Sequence, residues 1–281
     1  MIRNVTNVLS TVWKEPSNRG ERGRRILMAI GWQAYKRIVG LPIVLTLDNG
    51  LLFYADPRAG NSTSAIYTRI YESKYIQFVR RHCVSGGAII DVGAHTGIYT
   101  LLLAELFRGG LCFEPAPDTF SILVKNLALN HLERFEAIPQ AASAKCGRGT
   151  LVAHQDFSGT AMLAVESRVA MHCWEVEVTT LDSTLEKIPI EVTFLKIDTE
   201  GNEANILVGA NDTLSRSTRA LVLFENQDSS REECIDQLCK LRFRCFGVND
   251  RGEPGQGRSF IERAYNILAC GPAHPLYNHL S

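Results

Sequence analysis

Apolar positions change their spacing along the chain. From residue 88 onward, short unbroken apolar runs alternate with stretches in which apolar residues recur every three or four positions. Runs such as 88–92 (AIIDV) predict strands buried on both faces, as in parallel sheets. Further strands are expected at 111–114, 137–142, 194–197, 221–225, 244–248 and 265–270. Helices are expected at 98–107, 118–130, 204–214 and 231–241. Alternation of this kind predicts an α/β fold with a mostly parallel sheet. Residues 144–175 lose the rhythm, are polar and contain glycine, and read as an excursion from the sheet, a β-hairpin cap.

Upstream the pattern differs. Residues 24–39 predict a helix with Ile26, Leu27, Ile30, Tyr35 and Ile38 as face residues. Two β-like runs, 43–47 and 51–54, flank Asn49-Gly50, a strong hairpin-turn pair. A helix over 64–81 should follow and stop before Ser85-Gly86-Gly87. The expected organisation is a basic helical extension (1–40), a hairpin and helix leading into the core (41–87), a ligand-binding domain (88–272) and a tail (273–281).

Composition narrows the class. The 281 residues are 45% hydrophobic and 21% charged, which places them among globular chains and away from disorder. Lys and Arg total 30 and Asp and Glu total 30. That balance argues against a whole-surface nucleic-acid binder, so no nucleic-acid partner is expected. Charge is nevertheless uneven, with seven basic and two acidic residues between positions 14 and 37. Such a segment is either a membrane-surface or partner-binding helix, or a helix packed on the domain with its basic side in water.

The longest apolar stretches, 26–32 and 98–107, fall short of the ~20 residues that cross a bilayer. The first residues lack the pattern of a secretory signal. Eight cysteines include no C-x-x-C pair, and no histidine pair has zinc-finger spacing. The expectation is a cytoplasmic protein with reduced, buried or half-buried thiols. Self-association is left open.

Candidate chemistry begins at Ile89-Ile90-Asp91-Val92-Gly93-Ala94-His95-Thr96-Gly97, where a buried strand runs into a Gly-rich turn that opens a helix. Ligands of open α/β sheets sit at such strand ends. The turn is neither G-x-G-x-x-G nor a phosphate loop. Asp91 instead offers a carboxylate suited to a cationic group such as an amino-acid ammonium. Glu114 ends the next strand, 23 residues later, where an acid can hold a ribose diol. Together these favour S-adenosylmethionine over NAD. A third cluster, Asp198-Thr199-Glu200-Gly201-Asn202-Glu203, follows the strand at 194–197. Glu203 is expected to serve the helix N-terminus, whereas Asp198 ends the strand itself.

These pieces resemble the FkbM-type S-adenosylmethionine-dependent methyltransferases. The matching segments are Ile70-Tyr71-Glu72, IIDVGAHTGIYT (89–100), FEPAPDTFSILVKNLALN (113–130), TTLDSTL (179–185), FLKIDTEGNEANILVGA (194–210) and LVLFEN (221–226). The resemblance implies a Rossmann-like class I methyltransferase fold, with a seven-stranded mostly parallel sheet and helices on both faces. It implies O-methylation of a hydroxyl on a sugar, glycolipid or polyketide-type natural product. It assigns Asp91, Gly93, Ala94, His95 and Gly97 to the cofactor loop, and Glu114 to the ribose. Glu72, Pro115 and Ala142 join that cofactor set. His95 stands where many members have Asn.

Candidate general bases are Asp198, Glu200 and His95. A metal-assisted variant would place Mg²⁺ on Asp198, Glu225 and Asn226 at neighbouring strand ends; the alternative is a metal-free polar cleft. Acceptor recognition is expected from 61–72, from 144–175 with His154, His172 and Trp174, and from 250–260. Trp174 either stacks on a sugar ring or packs. Alternative functions are a non-catalytic nucleoside-binding domain and an NAD-dependent oxidoreductase.

Overall fold

The computed structural model describes residues 2–153, 162–164, 172–186 and 190–280. Two helices, α1 (Ile2–Lys14) and α2 (Arg22–Ile38), precede the hairpin β1 (Ile43–Thr46) and β2 (Leu52–Ala55). Then come α3 (Gly60–Tyr67), α4 (Ser73–His82), β3 (Ala88–Val92), α5 (Ile98–Leu103), β4 (Gly109–Phe113), α6 (Pro117–Leu129) and β5 (Phe135–Ile138). The excursion holds β6 (Ala141–Ala142), β7 (Gly147–Ala153), β8 (Met162–Ala164) and β9 (His172–Thr179). The chain closes with α7 (Leu181–Leu185), β10 (Val192–Ile197), α8 (Glu203–Val208), α9 (Asn211–Arg216), β11 (Leu221–Glu225), α10 (Arg231–Lys240), β12 (Arg244–Val248), β13 (Pro254–Gly255), α11 (Arg258–Arg263) and β14 (Asn266–Cys270).

The large sheet has the order β5-β4-β3-β10-β11-β14-β12, with the two-residue β13 on the β12 edge. Neighbours from β5 to β11 pair in parallel, and β14 runs antiparallel to both β11 and β12. This is the seven-stranded, mostly parallel architecture expected of a Rossmann-like class I methyltransferase fold. Helices cover both faces. Ile89 of β3 joins Leu101, Leu102 and Leu103 of α5 on one side. Its neighbour Ile90 joins Ile206 and Leu207 of α8 on the other. Alternate side chains of one strand therefore enter two cores, which explains its unbroken apolar run. From β3 the chain moves outward to β4 and β5, then returns to place β10 beside β3. That reversal opens a crevice at the carboxyl ends of β3 and β10.

Several expectations need correction. The segment 64–81 holds two helices rather than one. Thr68 is extended, and Glu72 takes a left-handed conformation (φ 41°). A tertiary tie holds that break, because Tyr99 donates to the Glu72 carboxylate. The segment 204–214 also divides. Asp182 accepts the N–H groups of Asp212 and Thr213 (3.1 and 2.7 Å) and so starts α9 afresh. The 137–142 run is shared between sheets. β5 ends at Ile138, and β6 pairs with β9 in the four-stranded sheet β6-β9-β7-β8. The excursion is thus a small sheet in which β7 pairs antiparallel with both β8 and β9.

The extension contains α1 as well as the expected helix. α1, α2 and α3 share a small core of Val12, Ala29, Trp32, Ile66 and Tyr67. Buried Asn18 ties them together: its Nδ2 donates to the carbonyls of Val12 and Tyr67, and its Oδ1 accepts from Arg69 N–H. All eight cysteines are free thiols. Cys146, Cys173 and Cys239 are exposed, against expectation, while the other five are buried or half-buried. No helix among the described residues is long and apolar enough to cross a membrane.

Candidate active site

A cavity of about 370 Å³ lies at the carboxyl ends of β3, β4 and β10. Of the expected cofactor residues, Glu72, Gly93, Ala94, His95, Glu114, Pro115 and Ala142 line it. Asp198 and Glu200 line it too. Asp91 and Gly97 are not on its wall.

The β3–α5 turn is shaped by close backbone approach. Gly93 has φ 71°, and a β-carbon there would stand 1.9 Å from the carbonyl oxygen of Asp198. Only glycine lets the ends of β3 and β10 meet this way. Gly97, at φ 81°, starts α5, and its α-carbon faces Leu123. Its role is to turn the chain.

Glu114 ends β4 and is 6% exposed. Its Oε2 accepts the His95 N–H (2.8 Å) and its Oε1 accepts the Ala116 N–H (2.9 Å). Burial raises its pKa, while these bonds oppose the rise. The Thr119 side chain bonds the carboxylate as well, so part of its acceptor capacity is left for a ligand hydroxyl.

Asp91 lies behind the cavity wall rather than on it. It is fully buried; Thr100 Oγ1 donates to its Oδ2 (2.8 Å), and Lys196 Nζ lies 3.4 Å from its Oδ1. Its charge is met from within the protein. It supports the wall from behind.

Lys196 is the centre that sequence reasoning missed. Its Nζ donates to the Gly93 carbonyl (3.0 Å), lies 3.3 Å from Asp198 Oδ2 and stands 5.3 Å from the Tyr99 ring centroid. Burial works to lower its pKa, but Asp198, Asp91 and Glu72 hold it above its ordinary value. A lysine inside an otherwise apolar strand is the signal that could have revealed it, because lysine is rarely buried without partners. Tyr99 and Tyr71 complete this wall, with rings 6.0 Å apart and edge to face. Glu72 accepts from Tyr99 and from Asn266 Nδ2 (3.2 Å), and burial raises its pKa.

The three candidate bases differ. His95 has a left-handed backbone (φ 53°), and both its ring nitrogens are buried without a hydrogen-bond partner. Burial and nearby Lys196 push its pKa down to about 4, against an opposing pull from Asp198. It is therefore a neutral imidazole near pH 7. Asp198 is 41% exposed at the side chain but faces Lys196. Glu200 (φ 56°) is pushed up to about 7 by burial and by Glu225, Asp198 and Glu203. Glu203, expected to serve the N-terminus of α8, instead ties the loop before it: its Oε1 accepts from Thr199 N–H, Thr199 Oγ1 and Gly201 N–H.

The Mg²⁺ set does not assemble. Asn226 Nδ2 donates to the carbonyls of Ile261 and Ala264, and its Oδ1 accepts from Arg231. Glu225 accepts from Gln227 Nε2 (2.7 Å). Neither lines the cavity. Asp198 is the third member and is held by Lys196. Among the described residues, no group of three His, Cys, Asp or Glu is arranged to hold a metal ion.

Of the segments expected to recognise an acceptor, Asn61, Ser64, Tyr71 and Leu151 line the cavity. Trp174 packs with Leu151 and Val176 and stacks on His172 (5.8 Å). His154 lies outside the described residues. The 250–260 segment is not on the cavity wall; Tyr265 is.

A family model for the methyltransferase FkbM domain matches residues 91–245, from the buried Asp91 through β12. The chain belongs to the FkbM methyltransferase family. Both acidic strand ends and the Lys196–Asp198 pair fall inside the FkbM match, which sets aside the oxidoreductase reading. A curated relative, Methyltransferase 1 of Beauveria bassiana, is 25% identical over 195 residues, covering 60% of this chain and 75% of that protein. Among solved structures, the FkbM methyltransferase of Methylobacillus flagellatus aligns with 88% of this chain at 13% identity and a TM-score of 0.44. This chain covers about 60% of that protein. Precorrin-6y C5,15-methyltransferase of Geobacter metallireducens aligns with 71% of this chain and 89% of its own, at 9% identity and a TM-score of 0.43.

Proposed function

We propose that this methyltransferase takes its methyl group from S-adenosylmethionine and transfers it to a hydroxyl of a sugar, glycolipid or polyketide-type natural product. The observation that carries the reading is the pairing of two acidic strand ends across one crevice. Glu114 closes β4 on one side, and Asp198 and Glu200 follow β10 on the other.

The residues present fit an adenosyl donor. Glu114 lines the cavity and keeps acceptor capacity for a ribose hydroxyl. Gly93 lines the cavity and lets the ends of β3 and β10 meet at its wall. His95 lines the cavity, and its two buried ring nitrogens, without a partner in the protein, have capacity for one donated and one accepted bond. Lys196 offsets the charge of Asp91 and keeps Asp198 in place. The donor supplies an already activated methyl on a sulfonium.

The protein's share of the work is alignment and removal of one proton. Aligning donor and acceptor can contribute roughly 7–11 kcal/mol to lowering the barrier. Glu200 lines the cavity and, with its pKa near 7, is poised to accept the acceptor hydroxyl's proton. A positioned base contributes about 10²–10⁴-fold. His95, with its depressed pKa, stays a neutral hydrogen-bonding residue. No metal enters this scheme, because Asn226 and Glu225 bond within the protein.

The test is methyl transfer itself. The protein is incubated with S-adenosylmethionine and a panel of sugars, glycolipids and hydroxylated polyketides, and products are read by mass spectrometry. A methyl ether formed by the wild type and not by Glu200→Gln supports the reading. Methylation confined to nitrogen or carbon acceptors would overturn it.

A further inference from the structure

The helical extension carries a surface that its own packing does not use. α2 turns Ala29 and Trp32 inward, and Arg25 reaches inward to the carbonyls of Ile66 and Thr68. The opposite side exposes Leu27 (72%), Ile30 (50%) and Ile38 (82%), and Leu41 (62%) continues the line past the helix end. With exposed Ala34 between Ile30 and Ile38, successive members are three or four residues apart, so they form one stripe along the helix. Val44 of β1 and Trp13 of α1 are exposed as well.

Positive charge borders the stripe. Arg24 and Arg37 are exposed on α2, and Lys14 and Arg19 are exposed near its start. The excess of five basic charges between residues 14 and 37 sits in a chain of zero net charge, so the remainder carries the opposite excess. We propose that this face docks on an anionic lipid surface, with α2 lying in the interfacial plane and its basic residues against the headgroups. An aliphatic stripe flanked by Arg and Lys is the pattern of a helix that lies on a membrane rather than across it. A second copy fits poorly, because a two-fold interface would bring the same positive border against itself.

The docked face stands one helix away from the cavity. Thr63 of α3 accepts from Trp32 Nε1 (3.1 Å) and from Lys36 Nζ (3.2 Å). Gly60, Asn61 and Ser64 of the same helix line the cavity. This surface is independent of the donor and acceptor assigned above.

Co-sedimentation of the whole chain with vesicles tests the proposal. One set is phosphatidylcholine alone, and the other contains one third phosphatidylglycerol. The protein should pellet with the anionic vesicles at low salt and be largely released by high salt. The variant Leu27→Ser/Ile30→Ser/Ile38→Ser should stay in solution with an unchanged melting temperature. Arg24→Glu/Arg37→Glu should weaken binding at least about tenfold. Failure to pellet, equal pelleting with neutral vesicles, or equal binding by wild type and variants would overturn the proposal. So would light scattering that shows a dimer which the triple serine variant converts to a monomer.

Discussion

Lys196 and Asp91 form an ion pair sealed inside the protein, with 3.4 Å between Nζ and Oδ1 and side-chain exposures of 5% and 0%. Asp91 cannot turn to water when Lys196 is removed. Lys196→Met should therefore strand the buried carboxylate and cost about 3–5 kcal/mol of stability. Adding Asp91→Asn should recover part of that loss, since the stranded charge is gone. Urea denaturation of the wild type, both single variants and the double variant measures it. A single variant within about 0.5 kcal/mol of wild type would show that the pair does not hold the strand ends together.

Gly93 makes the second prediction. A methyl group there meets the Asp198 carbonyl and also demands a left-handed backbone. Gly93→Ala should cost about 2–4 kcal/mol and weaken cofactor binding, because β3 and β10 must separate to admit it. Thermal denaturation together with a binding titration checks both effects. Unchanged melting would mean that the strand ends yield freely.

Glu200 sets the third, in the pH dependence of turnover. The base acts as carboxylate, so activity should rise with pH through about 7 and level off above it. Glu200→Gln should lose about 10²–10⁴-fold in kcat and flatten that limb. His95→Asn should keep the limb, because His95 is pushed down to about 4 and is neutral throughout this range. A limb that disappears with His95 instead would move the base to that residue.

What could be read in the sequence follows the range of the forces involved. β3 and β11 emerge with their observed ends because strands buried on both faces leave an unbroken apolar run. The Gly-rich turn and Glu114 are legible because both belong to one local strand–turn–helix unit. The break at 68–72 is not, since Glu72 is bent by Tyr99, 27 residues away. Asn226 looked like a metal ligand at a strand end, yet its amide ties down Ile261 and Ala264, 35 and 38 residues on. Lys196 hid within an apolar strand because Asp91, on the neighbouring strand β3, shares its charge. The exposed stripe on α2 was half-legible: its period showed a helix, but not which side α1 and α3 would cover.

The central claim is that the crevice between Glu114 and Asp198 holds S-adenosylmethionine. Calorimetric titration with S-adenosylmethionine and S-adenosylhomocysteine, with NAD as control, tests it most directly. The wild type should bind both adenosyl ligands and not NAD. Glu114→Ala, which removes the acceptor for the His95 N–H as well as for a ribose diol, should lose at least about tenfold in affinity. A folded wild-type protein that binds neither adenosyl ligand would contradict the account.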